Sequence, residues 1–122
     1  MKRIMILGAT GNRVDHLMAN FGLLVLGRER GCEIILADPW NYMKLIESGT
    51  VLKRSEQFGK YVSFFSIGGD VPGLTLKGFK YPLNCHYLTA SDSGLTVSNE
   101  IVAEEAVVEF EKGTLLMLMT RD

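Results

Sequence analysis

Residues 3–37 read RIMILGATGNRVDHLMANFGLLVLGRERGCEIILA, and this stretch decides the fold of the first part of the chain. Residues 3–7 are a short apolar run, which predicts a strand buried on both faces. Residues 8–12 predict a loop. Apolar residues then recur at three- and four-residue spacing, which predicts an amphipathic helix that ends near Gly31. These apolar residues are Val14, Leu17, Met18, Phe21, Leu24 and Val25.

A second strand and a short turn follow the helix. Residues 34–37, IILA, are another apolar run and predict a strand parallel to the first, so that the two strands and the helix form one right-handed βαβ unit. Residues 42–46 predict a helical turn. One βαβ unit cannot cover both faces of a parallel sheet. We therefore expect further α/β structure from a segment before Met1 or from another chain.

From residue 49 onward the pattern changes to short β-rich runs separated by glycine-containing turns, which is typical of an antiparallel sandwich or barrel. Near the end, Lys112 and Gly113 predict a hairpin turn, although residues 103–113 contain strong helix formers. The predicted fold class is α+β, with residues 1–48 as a partial α/β segment and residues 49–122 as an all-β domain. The predicted strands of this domain are residues 51–52, 61–67, 74–76, 87–89, 95–97, 106–110 and 114–120.

Composition narrows the class of protein. Hydrophobic residues make up 47% of the chain and charged residues 22%, values typical of a soluble, folded protein. Thirteen basic and fourteen acidic residues give a formal net charge of −1, which predicts neither a nucleic-acid nor a membrane partner. Cys32 and Cys85 have no disulfide or metal-ligand spacing, so we expect a cytoplasmic protein.

The stretch that carries chemistry is residues 8–16, GATGNRVDH. A glycine loop between a buried strand and a helix allows backbone N–H groups to approach phosphate, and the helix N-terminus favours negative charge there. The guanidinium of Arg13 offers a fork of donors to phosphate oxygens. Asp15 could hold Mg²⁺ that bridges those phosphates.

Two alternatives compete with a phosphate site. In the first, the glycines only permit a tight turn, and Arg13 pairs with Asp15 on a solvated first helical turn. The second is a dinucleotide-binding loop, but that fingerprint needs a third glycine where this chain has Val14. Trp40 has two interpretations as well: it could stack on a ring, but a partly buried packing role is expected.

Residues 8–16, together with Asn20, resemble the GxTGGRxDH…N signature of the thiamine pyrophosphokinase family. Asn12 replaces the usual second glycine of the loop, and Asn tolerates positive φ better than most residues do. Further segments resemble the same family in the same order along the chain. They are Gly49, residues 61–63 (YVS), 73–83 (GLTLKGFKYPL), 94–100 (GLTVSNE) and 113–116 (GTLL).

This resemblance implies a function: pyrophosphoryl transfer from ATP to thiamine with Mg²⁺, in a homodimer that holds thiamine between two subunits. It implies that Arg13 and Asp15 are catalytic, with Asp15 linked to the metal, and that residues 98 and 99 contact thiamine. The family's DxDS motif is not found in this sequence, so we expect the isolated chain to be inactive. A non-catalytic thiamine-binding or dimerisation module is the alternative. The implied phosphate-binding residues are Gly8, Thr10, Gly11 and Arg13, and the implied thiamine-binding residues are Ser98 and Asn99.

Overall fold

The computed structural model describes residues 2–8, 13–92 and 94–122. This part of the chain is mostly sheet with one α-helix, in agreement with the predicted α+β class. No helix in it has the length and apolar character that a membrane span requires. In chain order the elements are β1 Lys2–Leu7, α1 Val14–Glu29, β2 Cys32–Ala37, β3 Asn41–Ile46, β4 Thr50–Lys53, a 3₁₀ turn Arg54–Glu56, β5 Tyr61–Ser66, β6 Val71–Lys77, β7 Leu83–Leu88, β8 Glu105–Glu109 and β9 Leu115–Thr120.

The strands form two sheets. The first has the order β1-β2-β3-β9-β5 and the second the order β4-β8-β6-β7. Most of the buried apolar residues form one cluster, to which both sheets contribute, with Phe64, Leu74 and Met117 among its members. A smaller cluster joins Leu24 of α1 to residues of β2, β3 and β9. The five-stranded sheet therefore packs against strands on one face and against the helix on the other.

The predicted parallel βαβ unit is confirmed. β1 and β2 pair in parallel from Lys2 with Cys32 to Leu7 with Ala37. Helix α1 ends at Glu29, and Gly31 follows with a φ of +69°, a backbone conformation that glycine adopts at little cost.

The burial predicted for β1 is wrong. In the described residues β1 pairs only with β2 and is the edge of its sheet, while α1 packs mainly on β2 and β3. As a result Ile4 and Leu7 are 48% and 74% exposed. Edge position, which an apolar run does not encode, explains the difference.

The predicted helical turn at residues 42–46 is also wrong, because this segment lies in strand β3. Met43 and Ile46 are both buried at a three-residue spacing, which imitates a helical face. They belong to different clusters on the two faces of the sheet, as the alternation of a strand requires. Six paired positions with β9, from Asn41 with Thr120 to Ile46 with Leu115, outweigh the local pattern.

The predicted hairpin at Lys112 and Gly113 is the third correction. The strand predicted at residues 106–110 is present one residue earlier, as β8, but β8 pairs with β4 and β6 while β9 pairs with β3 and β5. The turn therefore carries the chain from one sheet to the other. β9 has an apolar run buried on both faces, which suits a central strand, whereas β8 alternates with only Ala106 and Val108 buried.

Strands from both sides of the predicted domain boundary share the five-stranded sheet. β3 precedes residue 49, and its partner β9 lies near the C-terminus. The division into residues 1–48 and 49–122 stays a prediction.

A close approach at Gly59 predicts an asymmetric response to alanine. A Cβ on Gly59 would overlap the Thr120 carbonyl oxygen, whereas a Cβ on Gly22 in the middle of α1 meets nothing within 4 Å. We expect Gly59→Ala to lower the free energy of unfolding by about 1–3 kcal/mol, and Gly22→Ala to raise it by roughly 1 kcal/mol. Urea denaturation measures both. An unchanged midpoint for Gly59→Ala would contradict this packing.

Candidate functional site

The five-stranded sheet has one edge at which several candidate residues lie. β1 and β2 end there, and so does β9, because it runs antiparallel to β3. β5 begins there, with Tyr61 opposite Thr120. We call this the carboxyl edge. In open α/β sheets, ligands bind outside the carboxyl ends of the strands.

Of the predicted phosphate-binding residues, Gly8 and Arg13 lie at this edge. Gly8 has a φ of +71°, and its N–H donates to the Ala37 carbonyl at 3.0 Å, which ties the start of the loop to the end of β2. Thr10 and Gly11 lie outside the described residues. Arg13 is the N-cap residue of α1, and its side chain makes no capping hydrogen bond.

Arg13 and Asp15 form an ion pair with 2.6 Å between Nη2 and Oδ2. The other carboxylate oxygen, Oδ1, accepts the His16 backbone N–H at 2.9 Å. The two side chains are 70% and 61% exposed, as the solvated-turn alternative predicts. An exposed pair of this kind contributes about 0–1 kcal/mol. An anion that binds Arg13 therefore has only a weak interaction to displace.

Asp15 fits Mg²⁺ as one ligand among several. The described part of the chain contains no group of three His, Cys, Asp or Glu side chains that could hold a metal ion. Mg²⁺ commonly binds through one or two carboxylates and completes its octahedron with water and substrate phosphates. The Asp15 carboxylate suits that donor set, so the remaining ligands would have to come from phosphate, water or other carboxylates.

The predicted thiamine-contacting segment lies at the far end of the carboxyl edge. Val62 of β5 and Asn99 exchange two backbone hydrogen bonds of 2.8 and 2.9 Å. Ser98 is exposed, has a φ of +58°, and donates its backbone N–H to Ser63 Oγ at 2.9 Å. The predicted strand at residues 95–97 is wrong: these residues form a turn. Thr96 also bonds Phe64 in both directions, so this segment covers the outer edge of β5.

The Asn99 side chain binds the backbone of its own chain. Oδ1 accepts the Tyr81 and Glu100 N–H groups at 3.0 and 2.9 Å, and Nδ2 donates to the Tyr81 carbonyl at 2.9 Å. The residue is buried, so these bonds compensate for its loss of hydration. In this structure Asn99 holds Tyr81 in place, while its predicted contact with thiamine stays a prediction.

Tyr81 is a candidate that the sequence analysis did not single out. Its ring is 57% exposed, and the Lys80 ammonium lies 5.5 Å from the ring centroid. Glu100 lies beside it, with Lys80 and Lys60 at 3.7 and 3.9 Å from its carboxylate oxygens. No local pattern reveals this group, because Tyr81 and Asn99 are 18 positions apart.

A tight turn joins β2 to β3, and the side chains of Asp38 and Arg121 bind its backbone. Asp38 Oδ1 accepts the backbone N–H groups of Trp40 and Asn41, each at 2.7 Å, and both carboxylate oxygens accept the Asn41 side-chain amide at 3.1 Å. Partial desolvation raises the pKa of Asp38, but these hydrogen bonds outweigh it and hold the pKa below its usual value. Trp40 is 58% exposed, so the expected partly buried packing role is wrong.

One cleft lies away from the carboxyl edge. A cleft of about 230 Å³ lies at the opposite edge of the sheet, between the end of α1 and the strands β2 and β3. Cys32, at the start of β2, and Glu47, just after β3, line it. None of the carboxyl-edge residues named above lines this cleft.

Comparison with known proteins identifies the family. The model of the thiamin pyrophosphokinase vitamin B1 binding domain matches residues 49–115. The chain belongs to the thiamine pyrophosphokinase family. It is 37% identical to the thiamine pyrophosphokinase of Bacillus subtilis over 120 residues, which is 98% of this chain and 55% of that protein. The chain therefore spans about half the length of this relative.

Solved thiamine pyrophosphokinase structures show the same fold. The Bacillus subtilis crystal structure superposes with a TM-score of 0.91 at 36% identity, covering 100% of this chain and 57% of that one. The Geobacillus thermodenitrificans structure superposes with a TM-score of 0.84 at 32% identity, covering 100% of this chain and 55% of that one. The yeast structure superposes with a TM-score of 0.80 over 95% of this chain and 39% of that one. Its identity is 16%, so it supports the fold alone.

The hydrogen bonds of Asn99 predict a large effect of its truncation. Asn99→Ala removes three side-chain hydrogen bonds and leaves the backbone groups of Tyr81 without their partners, so we expect the free energy of unfolding to fall by about 2–4 kcal/mol. The neighbouring change Ser98→Ala removes an exposed hydroxyl and should cost less than about 0.5 kcal/mol. Chemical denaturation of both variants tests this, and equal stabilities would refute the structural role of the Asn99 amide.

Proposed function

We propose that this chain is the thiamine-holding part of a thiamine pyrophosphokinase, and that it also supplies Arg13 and Asp15 to the reaction centre. The reaction is transfer of pyrophosphate from ATP to the hydroxyl of thiamine, giving thiamine diphosphate and AMP. The observation that carries this proposal is the match of residues 49–115 to the thiamine-binding domain. Within that range Asn99 holds an exposed aromatic ring, Tyr81, beside the segment predicted to contact thiamine.

The residues have distinct roles in this proposal. Tyr81 offers a flat face on which a thiamine ring stacks, and the exposed Ser98 hydroxyl offers a hydrogen-bonding group. Arg13 binds phosphate oxygens and offsets the negative charge that develops as the bond between AMP and the β-phosphorus breaks. Mg²⁺, with Asp15 as one ligand, would neutralise the phosphates. The thiamine oxygen forms the new bond to the β-phosphorus, and its proton passes to a base outside the residues assigned here.

The geometry of one chain supports a reaction centre shared between two subunits. Gly8 follows β1, whereas Asn99 pairs with β5, and four inter-strand spacings separate these strands. At about 4.8 Å per spacing they lie roughly 19 Å apart along the sheet. Reacting atoms must approach to about 3–3.5 Å. Thiamine, two small rings with a two-carbon alcohol, is too short to extend from Ser98 of one chain to the phosphates at Gly8 of the same chain. We therefore propose a homodimer in which each thiamine lies between two subunits. From the two free cysteines we also propose a cytoplasmic location.

A non-catalytic thiamine-binding or dimerisation module is the second candidate. The lack of a metal-holding carboxylate cluster in the described residues favours it for this chain by itself. Such a module would bind thiamine without turning it over.

Binding and turnover of thiamine by the isolated chain test both candidates. We expect the isolated chain to bind thiamine in isothermal titration calorimetry and to release no AMP, because phosphoryl transfer needs more carboxylates than Asp15 provides. Tyr81→Ala should weaken thiamine binding about five- to ten-fold through the lost ring contact. Tyr87→Ala is a matched control, because Tyr87 is 58% exposed on the edge strand of the other sheet. AMP release that depends on thiamine would exclude the non-catalytic module, and absence of thiamine binding would refute the thiamine-binding role in both candidates.

Mixing of subunits tests the shared centre in an active enzyme, formed by supplying the carboxylate-bearing segment to this chain. Arg13→Ala and Tyr81→Ala should each lower activity. Arg13→Ala should do so by weakening the use of ATP, and Tyr81→Ala by raising the KM for thiamine. When the two variants are mixed and allowed to exchange subunits, one of the two centres in a mixed dimer carries both intact residues. We then expect recovery of up to about half of the activity per mixed dimer. No recovery, with exchange verified by mass spectrometry, would place both residues in one subunit's centre.

A further inference from the structure

Hydrogen bonds with two charged side chains fix the turn that carries Trp40. Beyond the Asp38 carboxylate, Arg121 binds it from the end of β9: the Arg121 Nε–H donates to the Pro39 carbonyl at 2.7 Å, and the Arg121 backbone N–H donates to the Trp40 carbonyl at 3.1 Å. The Arg121 guanidinium itself lies 4.4 Å from the centroid of the Phe58 ring. The Asp38 carboxylate and the Arg121 guanidinium therefore both bind the turn, and each of these charged groups is fixed by further contacts of its own.

This fixed turn presents a large aromatic ring to solvent. Trp40 exposes more than half of its surface although its backbone is bonded at both N–H and carbonyl. Trp40 belongs to neither of the two apolar clusters of the described residues, so its ring is available for contact with a ligand. Rigid aromatic rings are suited to binding flat ligands, because little conformational entropy is lost when they stack.

The turn that carries Trp40 starts next to the glycine loop. The Gly8 N–H donates to the Ala37 carbonyl, one residue before Asp38. The loop that follows β1 and the turn that follows β2 therefore start one inter-strand spacing apart, about 4.8 Å, at the same edge. A nucleotide whose phosphates lie at the first position has its base within reach of the second.

We propose that the Trp40 ring stacks on the adenine base of the ATP whose phosphates bind at Gly8 and Arg13. This inference rests on the proposed function, because that function supplies ATP as the ligand. It goes beyond that function by assigning the residue that binds the base. The occupant is the base rather than the thiamine of the same chain, because the thiamine-binding segment lies at the far end of the sheet, beside β5. Stacking on an indole also favours bases of large area, so purine nucleotides should bind more tightly than pyrimidine nucleotides.

Trp40 is the single tryptophan of the chain, so its fluorescence reports on this position directly. Titration of the chain with MgATP should quench that fluorescence, and titration with inorganic triphosphate, which has no base, should leave it nearly unchanged. Trp40→Ala should weaken ATP binding roughly ten-fold, measured by equilibrium dialysis, and Trp40→Phe should lose less. Affinity for triphosphate should stay within about two-fold in both variants.

Controls separate base stacking from other effects. Tyr87→Ala removes an equally exposed aromatic ring far from the carboxyl edge and should leave ATP affinity unchanged, and melting temperatures identify any variant that is misfolded. Equal loss of ATP and triphosphate binding in Trp40→Ala and Trp40→Phe would overturn the stacking role. A loss of thiamine affinity with ATP affinity intact would also overturn it.

A wild-type chain that binds triphosphate and ATP equally, without quenching, overturns this inference but does not contradict the phosphate site. A chain that binds neither overturns the phosphate site and the inference together, while thiamine binding still tests the remaining function.

Discussion

Strand β9 connects the parts of this molecule, because it lies inside the five-stranded sheet and is buried on both faces. It pairs along six positions with β3 on one side and along six with β5 on the other. Leu116 packs in the cluster under the helix, and the adjacent Met117 packs in the cluster that both sheets share. The helical first part of the chain and the β-rich second part therefore share backbone hydrogen bonds and apolar packing through a single strand.

The direction of β9 also determines where the candidate residues lie. Because β9 runs antiparallel to both of its neighbours, its end meets the beginnings of β3 and β5 at the carboxyl edge. Arg121, just after β9, can thus fix the Trp40 turn. The same edge has the start of the glycine loop at one end and the Asn99 segment at the other. One chain therefore presents the two candidate segments at opposite ends of this edge.

Local sequence patterns predicted the elements better than they predicted the pairing of strands. The βαβ unit, the helix end near Gly31 and the strand predicted at residues 106–110, which is observed one residue earlier, follow from short-range signals and are confirmed. The helical turn at residues 42–46 was wrong because Met43 and Ile46 are buried for different reasons on opposite faces. The hairpin at Gly113 was wrong because a turn signal does not specify whether the next strand stays in the same sheet.

The sequence by itself determined the family, the helix, most strands and the two segments that carry the candidate site, because motifs and apolar periodicity are encoded within a few neighbouring residues. Only the tertiary structure decided that Asn99 holds Tyr81, that Arg121 holds the Trp40 turn and that the glycine loop and residues 98–99 lie at opposite ends of one edge. Those relations depend on hydrogen bonds between strands far apart in the chain. No local pattern specifies such partners, since each strand's backbone groups can pair equally well with many others until the buried faces select one arrangement.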